Sequence, residues 1–368
     1  MTARRLRWAS GAVGLAFAIA GCAAVLGIED IPSAADVGTD GSSTDAGTDR
    51  SMGDTGADAP ASVSVAAPSC EAGGAGLTNC GDGSESCCTN HPVVTGGTFD
   101  RTYINTGSGP TAKDDPATVA SFRLDRYEVT VGRFRQFVSA WKVGWTPPSG
   151  SGKHIHLNGG KGLEASGSRG TYEPGWNITD GAKISPTDAD LAHDNYATWT
   201  PAPTPDDKRP INSVNWYEAA AFCIWDRGFL PSDAEWEYAA AGGSQERQYP
   251  WGSAAPGSGN QYAIFDCNYP DRSGCLGPKK YAPVGTPALG LGAWGQLDLA
   301  GNVAEWNLDG EGPFTPCENC SDLASGSRRV IRGGKYSSKE TDLLPTFRAS
   351  GPPTLRDNGV GFRCARAP

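Results

Sequence analysis

The chain has 368 residues, with 50 glycines, 11 tryptophans, 11 cysteines, 4 histidines and a formal net charge of −10. Nucleic-acid phosphates are held by clustered Lys and Arg, so this balance argues against DNA or RNA as a partner, while it permits calcium. The length suffices for a substantial core in one large or several smaller domains.

Arg4, Arg5 and Arg7 precede the apolar run GAVGLAFAIAG and then Cys22. A basic n-region, a short apolar stretch and small residues before a cleavage point make an export signal over residues 1–22. Ile19-Ala20-Gly21-Cys22 resembles the lipobox of bacterial lipoproteins. That resemblance implies a diacylglyceryl group on the Cys22 thiol; an ordinary signal peptide with a chance cysteine is the alternative. A membrane-spanning helix needs about 20 apolar residues, more than this run supplies, and nothing similar recurs downstream. The expectation is an exported lipoprotein, held to a membrane by lipid and facing the periplasm or displayed at the outer membrane or cell surface. Residues 23–69 follow as a tether rich in Asp, Gly, Ser, Thr and Ala. Almost no large apolar side chain occurs from 29 onward, so too little surface can be buried to offset ordering entropy, and the segment reads as disordered.

Ten cysteines remain beyond Cys22, an even number in a chain expected to reach an oxidising compartment, so disulfides are their expected fate. The cysteine-rich segment 70–91, with CEAGGAGLTNCGDGSESCC, is expected to staple itself through Cys70, Cys80, Cys87 and Cys88, with the connectivity open. Cys267 with Cys275 and Cys317 with Cys320 close local loops. The CENC pair at 317–320 lacks the βαβ setting of a redox motif and the matching second pair of a zinc site, so a disulfide is preferred.

A domain is expected over 92–368. ASFRLDRYEV (120–129) reads as a strand. TVGRFRQFVSAW (130–141) reads as a helix, with Phe134, Phe137, Val138 and Trp141 on one face behind a capping Thr130. The stretch 144–200 is rich in Gly, Ser, Pro and Asn and reads as a surface insert. NWYEAAAFCIWDRG (215–228) carries Trp216, Ala219, Ala220 and Cys223 on one stripe and is expected to end at Gly228. SDAEWEYAAAGG (232–243) opens with Ser232 and Glu235 in capping-box spacing and closes on Gly242. RRVIRGG (328–334) and GVGFRCARA (359–367) read as strands. In the last, Val360, Phe362 and Cys364 alternate with Gly361 and Arg363, which puts the cysteine on the buried face. Cys223 also faces the core and has no neighbour nearby in sequence, so Cys223 to Cys364 is the expected long-range bridge.

Four stretches now stand in order: FRLDRYEVTVGRFRQFV, RPINSVNWYEAAAFCIWDRGFLPSDAEWEYAAAGG, LDLAGNVAEW, and RVIRGG followed by FRAS and GVGFRCAR. Together they resemble the formylglycine-generating enzyme family, also called sulfatase-modifying factors, over residues 92–366. The resemblance implies an α+β fold, a C-type-lectin-like variant with little regular secondary structure, a small antiparallel sheet, two helices, ordered loops and bound calcium. It also implies the same helix-to-last-strand disulfide.

Within LDLAGNVAEW, Asp298 and Glu305 are hard oxygen ligands flanking a glycine-bearing turn whose Gly301 and Val303 carbonyls can face the same point; calcium takes 6 to 8 such oxygens. Merely solvated or capping carboxylates are the alternative. The resemblance favours calcium at these four positions and places a second site near Asn268 and Tyr269, where the spacing departs from the pattern. Enzymes of the family oxidise a sulfatase cysteine to formylglycine, using copper held by two cysteines just after a GGS turn; soft thiolates suit Cu(I). Here Ser338 and Leu343 stand at those positions, so copper binding of that kind is not expected and no catalytic residue is assigned.

Sulfoxide synthases of ergothioneine synthesis, relatives of this fold, work beside an iron site built from histidines. His154, His156 and His193 form a conceivable trio here, against the plainer reading of solvated histidines in a polar loop. Trp216, Trp236 and Trp306 read as core. Trp141, Trp145, Trp176 and Trp199 read as core or loop anchors, with stacking on a glycan or peptide as the alternative. The expected function is a non-catalytic module at the bacterial envelope binding a protein, peptide or glycan. An oxidoreductase that makes formylglycine or performs a related metal-dependent oxidation is the alternative, and a structural envelope protein a third reading.

Overall fold

The computed structural model describes residues 66–81, 85–88, 91–323 and 326–368. The chain divides into Met1–Ser62 and Val63–Pro368. Residues 1–65, with the export signal, the lipobox, Cys22 and most of the tether, lie outside the described residues. Among the described residues no helix is long and apolar enough to cross a membrane.

The strands are β1 (Val93–Val94), β2 (Gly97–Asn105), β3 (Pro110–Val119), β4 (Phe122–Leu124), β5 (Glu164–Ala165), β6 (Ala304–Gly310), β7 (Cys317–Glu318), β8 (Cys320–Ser321), β9 (Arg329–Arg332), β10 (Arg348–Gly351), β11 (Val360–Gly361) and β12 (Ala365–Arg366). Helices are α1 (Val131–Lys142), α2 (Asp188–Leu191), α3 (Trp216–Trp225) and α4 (Asp233–Ala241). A four-stranded sheet in the order β10-β9-β6-β11 forms the centre, antiparallel except for the parallel β6–β11 pair. β4 sits between β1 and β12 in a second sheet, and the long β2–β3 hairpin carries β7 on its far edge. Short strands and long loops make this the α+β, loop-rich architecture anticipated from the sequence.

The helices start where their caps require. Thr130 accepts from the Arg133 amide, and Asn215 with Glu218 and Ser232 with Glu235 form complete capping boxes. Helix α4 closes on Gly242, whose φ of 68° is the left-handed conformation a side chain disfavours. Helix α3 stops at Trp225, short of the anticipated Gly228, because Arg227 turns left-handed with φ 62°, and the Gly228 amide closes the end on Cys223 O at 2.7 Å. Phe134 of α1, Phe222 of α3 and Phe362 pack as an aromatic knot, with ring centres 5.7 Å apart for Phe134–Phe222 and 5.4 Å for Phe222–Phe362.

All of α4 is buried, including Asp233, Glu235 and Glu237. Buried carboxylates must be paired, and each of these finds a cation: Asp233 binds Arg332 at 2.6 Å and Arg348 at 2.9 Å, Glu237 binds Arg332 at 2.7 Å, and Glu235 binds His154. A second cluster docks the cysteine-rich segment. Arg133 reaches Asp125, Asp226 and the Ser69 hydroxyl, while the Ser69 amide donates to Asp226. Ser69, assigned above to the tether, is thereby fully buried in the folded unit.

Three expectations need correction. The strand predicted over 120–129 shrinks to Phe122–Leu124. The last strand breaks at Phe362–Cys364, and Arg363, expected to face outward, is fully buried against Glu305. The 144–200 insert is not surface decoration, since Leu157, Leu163, Trp176, Ile184, Leu191 and Trp199 all enter the core. The tryptophan readings hold: Trp216, Trp236 and Trp306 are buried, and Trp141 and Trp145 anchor against the same cluster.

Cys223–Cys364, Cys267–Cys275 and Cys317–Cys320 bond as anticipated, and the N-terminal four pair as Cys70–Cys88 and Cys80–Cys87. Cys223–Cys364 spans 141 residues. Closing so long a loop limits the unfolded chain by about 5 kcal/mol in the entropic account. The double variant Cys223→Ala/Cys364→Ala is expected to lose at least about 2 kcal/mol in urea unfolding under oxidising conditions; unchanged stability would show that the bridge is redundant with the packing.

Candidate functional site

The chain leaves β9 through Gly333 and Gly334, whose φ values are 90° and 69°. A Cβ on Gly334 would lie 2.8 Å from the Asp342 carbonyl, so the turn closes only with glycine. Tyr336 is then held between two loops, donating its amide to Asn302 O at 2.8 Å and accepting from the Cys267 amide at 2.8 Å. Ser338 is spent on this turn: its hydroxyl accepts from the Lys335 amide at 3.1 Å, and its carbonyl accepts from Asp266. Leu343 is buried among Tyr249, Ala263, Phe265 and Ala300. The two positions that the resemblance assigns to copper thus hold a turn-forming hydroxyl and a packed isobutyl group. Every cysteine among the described residues is in a disulfide.

Beside this segment lies a groove of 450 Å³ lined by Tyr103, Ile104, Tyr249, Glu340, Leu344 and Pro345, among others. The Tyr249 hydroxyl donates to Glu340 at 2.6 Å, and Trp251 stacks on its ring at 5.0 Å. Burial and the Glu340 carboxylate both push the Tyr249 phenol up, so it stays a donor. The walls are aromatic and aliphatic with a few fixed polar groups, the usual make-up of a ligand site.

Asp298, Gly301 and Asn302 take φ values of 58°, 83° and 59°, which winds LDLAGNVAEW into a tight turn before β6. A Cβ on Gly301 would sit 2.3 Å from Ile264 O. Asp298 Oδ2 accepts from the Gly285 amide at 2.6 Å, but Oδ1 is buried without a partner. Burial pushes this carboxyl up to about 6. Glu128 beside it is raised by burial and then by the Asp298 and Glu305 charges. Glu305 is already engaged, bound on both oxygens by Arg363 and by the Trp236 indole at 2.9 Å. Three carboxylates thus share one guanidinium, and the orphaned Asp298 oxygen fits a cation. No three His, Cys, Asp or Glu side chains among the described residues are disposed to hold a metal, so any ion here would lean on backbone carbonyls. Asn268 offers no such fit: its oxygen accepts from Phe265 N, and its amide donates to Gly259 and Ala263. Tyr269 packs beside the cluster of Ile264, Cys267 and Tyr281.

Residues 83–368 match the model of the sulfatase-modifying factor enzyme 1-like domain. The chain belongs to this family. The mouse formylglycine-generating enzyme is 29% identical over 293 residues, 74% of this chain and 72% of its own. The Streptomyces coelicolor formylglycine-generating enzyme is 34% identical over 42% of this chain and 52% of its own, and the hercynine oxygenase of Mycolicibacterium smegmatis is 33% identical over 42% and 37%. Among solved structures, PvdO from Pseudomonas aeruginosa superposes with a TM-score of 0.47 at 20% identity, covering 77% of this chain and 97% of that one.

In this sulfatase-modifying-factor domain the histidine trio does not assemble. His154, read from the sequence as solvated or as an iron ligand, is fully buried between two carboxylates, with Nδ1 3.1 Å from Glu173 and Nε2 3.0 Å from Glu235. Burial opposes its charge, yet the two carboxylates outweigh burial and raise its pKa to about 10. A metal ligand must present a neutral ring nitrogen, so a doubly paired imidazolium is excluded from that role. His193 lies instead 3.5 Å from Asp194. Sequence reasoning missed this clamp because Glu235 was already accounted for by its capping box, and nothing in GTYEPGW marks Glu173 as buried.

His154 carries a linkage sign. Its folded pKa lies above the ordinary 6.5, so its contribution is complete below about pH 6.5 and is lost as pH rises toward 10. Stability in urea is expected to decline over that interval, and to decline less in Glu173→Gln, where one carboxylate is gone. Side-chain NMR showing His154 neutral at pH 8 would contradict the assignment.

Proposed function

We propose that this chain is a non-catalytic sulfatase-modifying-factor-like protein whose groove beside Ser338 and Leu343 binds a protein, peptide or glycan. The carrying observation is the replacement of a paired-sulfur site by a hydroxyl that closes a turn and a hydrocarbon that fills a cluster. Oxygen and carbon do not substitute for thiolates toward Cu(I), and no described cysteine is a free thiol that could take their place. The sequence of residues 1–22 supports export and lipid attachment through Cys22, which would display the groove at the envelope. Calcium fits at the turn before β6, where the Asp298 carboxylate and the Gly301 and Val303 carbonyls would hold it, while Glu305, expected as a fourth ligand, is kept by Arg363 and Trp236. Bound there, a divalent ion would offset the excess buried negative charge and brace the turn against β6.

The test uses the full-length protein prepared under oxidising conditions and incubated with copper and a sulfatase-type cysteine peptide. Mass spectrometry should find the peptide unchanged and elemental analysis no tightly held copper; formylglycine in the product overturns the non-catalytic reading. The same analysis should find about one calcium per chain, lost in Asp298→Ala, with a lower melting temperature after chelation. Full retention of calcium in that variant would move the ion elsewhere.

A further inference from the structure

We propose that the chain holds a second ligand site, for a small hydrophobic carboxylate, in the cavity between α3, the 144–200 insert and the adjoining ends of β6 and β9. The cavity has a volume of 230 Å³ and is walled by Trp176, Trp216, Ile224, Phe229, Leu230 and Leu308. An apolar cavity of about 150 Å³ accepts benzene. This one therefore has room for a single ring with a short acidic tail.

Arg329 supplies the polar end. Its guanidinium lies 4.2 Å from the centre of the Trp216 ring, and Nη1 donates to the Leu308 carbonyl at 2.9 Å. Nε is buried without a partner. Nε is enclosed by protein, whereas Nη2 makes no hydrogen bond and the side chain no ion pair among the described residues, so Nη2 is the donor left for a carboxylate. Burial lowers the guanidinium from its ordinary value, the mark of a cation whose desolvation is not repaid. The fully buried Arg133, Arg332 and Arg363 each face at least one carboxylate, and the buried Arg101 spends its donors on the Asp115 and Thr315 carbonyls. Arg329 faces a cavity.

The carboxylates around it are engaged elsewhere. Asp180 pairs with Lys183 at 3.1 Å, Glu173 with His154, and Asp309 accepts from the Asp233 and Asp322 amides. Burial further pushes Asp309 up to about 7. Arg329 is the one cation in a mainly apolar lining that also holds Glu173 and Asp180, whose charges are paired with His154 and Lys183, so it matches a monoanionic carboxylate on a ring. A phosphate, with more charge, would need more cations than the single arginine of this lining.

This cavity shares no lining residue with the groove beside Ser338, so its test stands apart from the oxidation assay. Isothermal titration of the full-length protein would compare phenylacetate with the neutral phenylacetamide. Expected are saturable one-to-one binding of the acid, at least about tenfold weaker binding of the amide, and a loss of about tenfold or more in Arg329→Gln. Ala220→Leu, which fills the cavity from α3 and leaves Arg329 in place, should abolish binding in a protein that unfolds as cooperatively as the parent. No saturable binding of the acid, equal binding of acid and amide, or binding that survives Ala220→Leu each overturns the proposal.

Discussion

One buried guanidinium organises the fold. Arg363 is fully enclosed, and all its N–H groups are spent: Nε and Nη2 on both oxygens of Glu305, Nη1 on the carbonyls of Asp125 and Arg126, and Nη2 also on Leu297 O. Those partners come from β6, from the loop before α1 and from the loop before the Asp298 turn. The next residue, Cys364, is bonded to α3, and Glu305 also takes the Trp236 indole of α4. Removing one partner of such a pair costs about 3–5 kcal/mol, because the charge left behind cannot be rehydrated. Lysine could not replace it, having neither the planar fork nor enough donors.

This explains why the recognisable motifs of the sequence are the ones they are. GNVAEW supplies Glu305, AEWEYAA supplies Trp236, FCIW supplies Cys223 and GFRCA supplies Arg363 with Cys364. Far apart in sequence, they meet within a few ångströms, and each is constrained by the others. Helices were legible because capping and apolar spacing are local signals, and the long disulfide because both cysteines face inward on their own elements.

What stayed illegible was non-local. The β2–β3 hairpin was missed although Phe99, Arg101 and Tyr103 alternate inward; Pro110 and Pro116 in its second strand argued against pairing, and the polar run between them gave no apolar face. Strand β6 was not anticipated, because nearly all of it is buried, which removes the alternation that marks a strand. His154 shows the same limit at a site. A histidine in a Gly-rich insert reads as solvated until the fold places a carboxylate on either side of it. The glycine-bearing turn at Gly301 was legible, yet no sequence signal showed that Asp298 would join it with a positive φ or that Glu305 would be committed to Arg363.

The same geometry separates the Ser338–Leu343 segment from the Arg363 centre. Neither Ser338 nor Leu343 bonds to Arg363; their loop is anchored by backbone contacts at Tyr336 and Ser338 and, at its far end, by Arg332 Nη1 on the Pro345 and Phe347 carbonyls. Burying a leucine side chain contributes about 1.5–3 kcal/mol, and a serine hydroxyl that closes a turn about 1 kcal/mol. Substitution at these positions therefore stabilises the loop locally, whereas a thiolate pair held ready for a metal would leave two charges to be desolvated. Beside this segment the groove wall combines hydrocarbon and phenol with polar side chains, Asn105, Gln248 and Glu340 among them.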